Sequence, residues 1–82
     1  MIHVTDAKYV DGYKIHLKFS DQKEGILDLK NVIFNDHRSI FKELIDLQKF
    51  KKFKIAADTI VWENGLDLAP EFLHEKMLAS EK

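Results

Sequence analysis

Four histidines, His3, His16, His37 and His74, are the first candidates for metal or proton chemistry in this chain. A helical zinc site needs His-Glu-x-x-His, which sets two imidazoles one turn apart with a carboxylate between them. His74-Glu75 begins that pattern, but Leu78 stands where the second histidine belongs. The histidine spacing matches no other zinc pattern, and surface positions account for all four. Asp58, Glu63, Asp67 and Glu71 recur closely enough to hold a cation. They alternate with strand and turn positions and lack the ligand rhythm of a calcium loop, so surface and capping roles explain them. The absence of cysteine excludes thiolate ligands, a thiol nucleophile and disulfides. Nothing supports a nucleophilic triad around Ser20, Ser39 or Ser80, and Gly12, Gly25 and Gly65 are too isolated to cradle a phosphate. The expectation is a protein that is not an enzyme, with no catalytic residue, cofactor or metal.

Two segments remain as binding candidates. Lys49-Phe50-Lys51-Lys52-Phe53-Lys54 interleaves four lysines with two phenylalanines, a pattern that could contact phosphates and stack on bases. The plainer account is a solvated helix end leading into a strand, with both rings in the core and the lysines suiting the helix dipole. In Thr59–Glu71, Trp62, Asn64, Asp67 and Glu71 could rim a small pocket for a ligand or peptide. Each also has a local structural reason to be there: Trp62 fills a core, Asn64-Gly65 turns the chain, and Asp67 accepts backbone hydrogen bonds near a helix start. The structural account is favoured for both segments.

The elements that must position these residues follow from periodicity. Val4–Val10 reads as a weak strand ending at Asp11-Gly12, a hairpin signal because glycine accepts a positive φ. Tyr13, Ile15, Leu17 and Phe19 alternate with Lys14, His16 and Lys18, which predicts one buried and one wet face. Glu24–Leu29 returns as a third strand, with the alternation blurred by adjacent Ile26 and Leu27. Ser39 is a candidate N-cap for a helix carrying Ile40, Phe41, Leu44 and Ile45, and Asp46 for a second carrying Leu47 and Phe50. Phe53–Ile55 is a short strand and Thr59–Trp62 a central one. Asn64-Gly65 is read as a primed turn, and Pro70 opens a last helix with Glu71 in its first turn.

Composition sets the frame. Among 82 residues, 45% are hydrophobic and 13 basic side chains face 14 acidic ones, giving net charge −1. That suits one small globular domain over residues 1–82 and offers no global field for nucleic acid or an anionic membrane. The start lacks a signal-peptide pattern and no run is long enough to span a bilayer, so the expected compartment is the cytoplasm. Residues 79–82 are expected to be a disordered tail.

The run Thr59-Ile60-Val61-Trp62-Glu63-Asn64-Gly65-Leu66-Asp67-Leu68-Ala69-Pro70-Glu71 resembles the signature of the family catalogued as domain of unknown function 2442. Tyr13–Phe19 and Glu24–Leu29, ending in Asp28-Leu29, look like its early hairpin, and Phe41–Leu44 and Leu47–Phe53 resemble its intermediate helices. Many relatives carry proline after the aspartate at the second short helix, where this chain has Leu47. The resemblance implies a small bacterial α+β protein, alone or beside a helix-turn-helix domain, in a toxin–antitoxin-like gene pair. It implies no catalytic residue.

The combined expectation is an α+β fold: a three- to four-stranded, mainly antiparallel sheet with two or three short helices packed on one face. The expected core is Ile15, Leu17, Phe19, Leu29, Phe41, Leu44, Phe50, Ile60, Trp62, Leu68 and Leu73. The favoured function is a non-enzymatic protein-interaction module whose edge strands pair with a copy or a partner. The alternative is nucleic-acid binding or regulation through Lys49, Lys51, Lys52 and Lys54.

Overall fold

The computed structural model describes residues 1–80. Strand alternation decides the first sheet. Strand β2 (Lys14–Phe19) lies between β1 (Val4–Tyr9) and β3 (Glu24–Asp28), antiparallel to both. Its Ile15, Leu17 and Phe19 are fully buried, while Lys14, His16 and Lys18 take the opposite face, as a period of two requires. β3 continues the pattern: Leu27 is buried opposite Ile15, and Ile26 projects outward opposite His16. The β2–β3 loop is Ser20-Asp21-Gln22. The Phe19 amide donates to the Lys23 carbonyl at 2.9 Å and Gln22 closes the turn at φ 73°, a left-handed position usually given to glycine.

The helices differ from expectation in number. Helix α1 (Lys30–Asn35) follows β3 directly, with Asp28 accepting a hydrogen bond from the Lys30 amide at 2.9 Å. Its sequence carries no strong helical stripe, and burial of Ile33 holds it. Helix α2 (Ser39–Lys42) runs into a 3-10 turn at Glu43–Ile45. The N-cap is Arg38 and not Ser39, because the Asp36 carboxylate captures the Arg38 amide at 3.0 Å and sets the entry turn one residue earlier. Helix α3 (Leu47–Phe50) begins at the expected break, where the Asp46 carboxylate accepts from the Gln48 amide at 2.9 Å.

Strands β4 (Phe53–Ala56) and β5 (Thr59–Trp62) form a separate two-stranded antiparallel sheet. The architecture is therefore α+β with two small sheets in place of one. β5 is not central: β4 pairs with one side of it, and a single bridge from Val61 to Asp67 occupies the other. Side-chain packing, not flanking strands, buries Thr59, Ile60 and Trp62. The primed turn is also displaced. Ala57 at φ 51° and Asp58 at φ 70° connect β4 to β5 with two consecutive left-handed residues. At Asn64-Gly65 only the glycine is left-handed, at φ 90°, and it closes a three-residue loop by donating to the Trp62 carbonyl at 3.0 Å.

Helix α4 (Pro70–Ser80) starts at the expected proline and packs against β3 through a face that includes buried Leu73 and Met77. Phe72, on the same helix, is 38% exposed. The helix includes Ala79 and Ser80; the rest of the expected tail, Glu81 and Lys82, lies outside the described residues. All the expected core residues are buried and belong to one cluster, joined by Val4, Leu27, Ile33, Leu66 and Met77. No helix among the described residues is long and apolar enough to cross a membrane.

Candidate functional site

The segment Thr59–Glu71 ties short helices to the hairpins. Trp62 is buried against Phe50 and Phe53, and its indole N–H donates to the Phe50 carbonyl at 2.8 Å. Asn64 uses both ends of its amide. Its Oδ1 accepts from the Leu66 amide at 3.0 Å, while Nδ2 donates to the Ile40 carbonyl at 2.9 Å and Glu43 Oε1 at 3.1 Å. The Tyr13 hydroxyl donates to the Ile45 carbonyl at 2.6 Å. The acceptors Ile40, Ile45 and Phe50 lie in or at the ends of one-turn helices, which cannot satisfy their own last carbonyls. Side chains from the hairpins supply those missing donors. The Thr59 hydroxyl donates to the Leu68 carbonyl, fixing the segment that leads into α4.

The four rim candidates are consequently dispersed. Asn64 lines a shallow hollow with Glu43, Glu63, Lys49 and Lys52. Trp62 contributes to another, with Phe53 and Val61. Asp67 lines a groove of about 540 Å³ between the α1–α2 region and the start of α4, floored by Val32, Phe41, Leu66 and Phe72. Glu71 stands exposed in the first turn of α4.

The lysine run is divided: Lys49, Lys52 and Lys54 line two adjoining hollows that share Lys52 and Glu63, and Lys51 packs elsewhere. Lys49, Lys51, Lys52 and Lys54 are all exposed. Lys49 and Lys52 share their hollow with Glu43 and Glu63, whereas Lys51 lies over the Tyr9 ring at 5.2 Å. Lys54 sits on β4 opposite Val61. Phe50 is fully buried and offers no stacking face, whereas Phe53 is half-buried, meets Trp62 edge to face and lines the second hollow.

Three histidines meet single carboxylates in different parts of the molecule: His3 with Asp58 at 3.4 Å, His16 with Glu24 at 3.2 Å and His74 with Asp21 at 2.8 Å. Partial desolvation pushes the Asp21 carboxyl up, but the Lys23 amide, the His74 ring and the Lys23 charge outweigh it and hold its pKa below the usual aspartate value. Asp36 is held at about 2 by hydrogen bonds from the Arg38 guanidinium and amide. Among the described residues no three metal-ligating side chains converge.

One unpaired backbone edge runs along the outer side of β3. The ladder bonds fix which groups face outward. At one end of the β2–β3 pair Phe19 donates to Lys23, and at the other Leu29 donates to Tyr13. Hydrogen-bonded pairs therefore fall at Gly25 and Leu27, and the amides and carbonyls of Glu24, Ile26 and Asp28 point away from β2. No hydrogen bond among the described residues takes up these backbone groups. The Ile26 side chain between them is 51% exposed. The signal in the sequence was the adjacency of Ile26 and Leu27: one of the two had to face away from the core.

No curated protein and no solved structure matches the chain. The family model described as protein of unknown function (DUF2442) matches residues 4–77. With nearly its whole length matched, the chain belongs to the DUF2442 family.

Proposed function

We propose that this protein is a non-enzymatic protein-interaction module that takes up an extended segment of a partner protein along β3. The open edge at Glu24, Ile26 and Asp28 carries the reading. Strand addition draws affinity from main-chain hydrogen bonds and specificity from alternate side chains. A half-exposed isoleucine supplies the apolar contact at its centre. In this reading the partner is the product of a neighbouring gene in a toxin–antitoxin-like pair, and both act in the cytoplasm. The alternative, nucleic-acid binding through Lys49–Lys54, is less favoured because Glu43 and Glu63 sit among those lysines.

Ile26→Pro tests the proposal. The Ile26 amide makes no bond within the described chain, so proline removes a donor that only an added strand would use. The wild type is expected to co-purify with the neighbouring gene product, and Ile26→Pro, verified as folded by its thermal transition, is expected to lose it. Equal capture by both proteins refutes use of this edge. A strict monomer that captures no protein refutes the interaction module altogether.

A further inference from the structure

We infer that the strand accepted by β3 is a basic–x–apolar–x–basic segment of a different protein, and not a second copy of this chain; this rests on the strand-addition reading above. The argument comes from the outward face of the first sheet. Side chains there form cross-strand rows. Asp6 stands beside Lys18, and Lys18 beside Glu24. In the adjoining rows Lys8 lies beside His16 and His16 beside Ile26, and Lys14 lies beside Asp28. Signs alternate along Asp6–Lys18–Glu24 and oppose at Lys14–Asp28, the arrangement that cross-strand pairing favours, while the middle row, Lys8–His16–Ile26, carries no acid.

A strand added to β3 extends each row by one residue. It meets Glu24, Ile26 and Asp28 in order, all three exposed. Extending the alternation requires a basic residue opposite Glu24, an apolar one opposite Ile26 and a basic one opposite Asp28. β2 already reads the same face of β3 from the other side with Lys18, His16 and Lys14. The intervening residues of the added strand would lie beside Gly25 and Leu27 on the inner face.

The same charges select against self-pairing. Two copies joined antiparallel about Ile26 would set Glu24 against the second copy's Asp28, and Asp28 against its Glu24. Parallel in-register copies would oppose Glu24 to Glu24. Like charges directly opposite destabilise a pair.

The probes are two synthetic peptides, acetyl-Thr-Lys-Val-Ile-Val-Lys-Thr-amide and its counterpart with glutamate in place of both lysines. Each is titrated into the full chain at low salt, with amide shifts and amide hydrogen exchange followed by NMR. The basic peptide is expected to slow exchange of the Glu24, Ile26 and Asp28 amides and to bind roughly tenfold more tightly than the acidic one, the ratio for two favourable against two unfavourable cross-strand pairs. The preference is expected to shrink with added salt and to fall in Glu24→Gln, which keeps the strand while removing one charge. Equal or tighter binding of the acidic peptide overturns the inference and leaves strand addition standing. So does concentration-dependent protection of the same amides without peptide, which would reveal a second copy. Failure of either peptide or a copy to protect them overturns both readings.

Discussion

Asn64→Ala should expose how far the signature is a folding device. The wild-type amide makes three contacts: Leu66 N–H, Ile40 C=O and the exposed Glu43 carboxylate. The first two are partly buried, and each contributes about 1 kcal/mol net. The Glu43 contact is solvent-exposed and adds little. The expected loss is about 2 kcal/mol, which for a domain of this size lowers Tm by roughly 8–16 °C. Urea unfolding followed by Trp62 fluorescence measures it, with m unchanged if only stability is affected. Asn64→Asp separates the contributions. It preserves the acceptor for Leu66 but turns an oxygen toward the Ile40 carbonyl and Glu43, so at pH 7 it should be no more stable than the alanine variant. Its introduced carboxyl has a raised folded pKa, so stability should recover as pH falls through that value and the oxygen gains a proton to donate. A loss below about 0.5 kcal/mol in Asn64→Ala, the scatter of ordinary surface substitutions, would refute the clamp. So would an aspartate variant as stable as wild type at pH 7.

Other consequences can be checked by urea unfolding followed by far-ultraviolet circular dichroism, which does not depend on Trp62. Trp62→Phe removes the donor to the buried Phe50 carbonyl and opens a void, and should cost about 2–3 kcal/mol. Ala57→Gly should raise stability by about 0.5–1 kcal/mol, because Ala57 holds φ 51° where glycine has no Cβ penalty; a loss would show that other contacts outweigh the strain. Asp36 should titrate near 2, against an ordinary value of 3.8. Since its folded pKa is depressed, the associated stability is complete above about pH 4 and disappears as pH falls toward 2. Asp36→Asn should flatten that part of the stability profile, and carbon-detected NMR titration of the wild type checks the pKa itself.

The interior was legible because alternation and helical spacing are local properties. Tyr13–Phe19 announced a buried face, and Ile15, Leu17 and Phe19 are fully buried. The Asp46 break and the Pro70 start were readable because capping and a proline's missing amide act within one turn. Turn type was not. Asn-Gly is the stronger primed-turn signal, yet Ala57-Asp58 adopts two left-handed residues while Asn64 is drawn aside to bond the Ile40 carbonyl 24 positions earlier. Helix α1 was missed because its local pattern is weak and the burial of Ile33 supplies its stability.

By itself, then, the sequence determined the α+β class, the core and the family, all of which rest on near-neighbour patterns and matched residues. Only the tertiary structure decided that Trp62 and Asn64 act as hydrogen-bond donors to helix carbonyls, that Glu43 and Glu63 sit among the lysines, and that β3 keeps an open edge. Each depends on which distant backbone group lies within about 3 Å, the hydrogen-bonding range. That distance is set when sheets and helices pack together, and no periodicity along the chain encodes it.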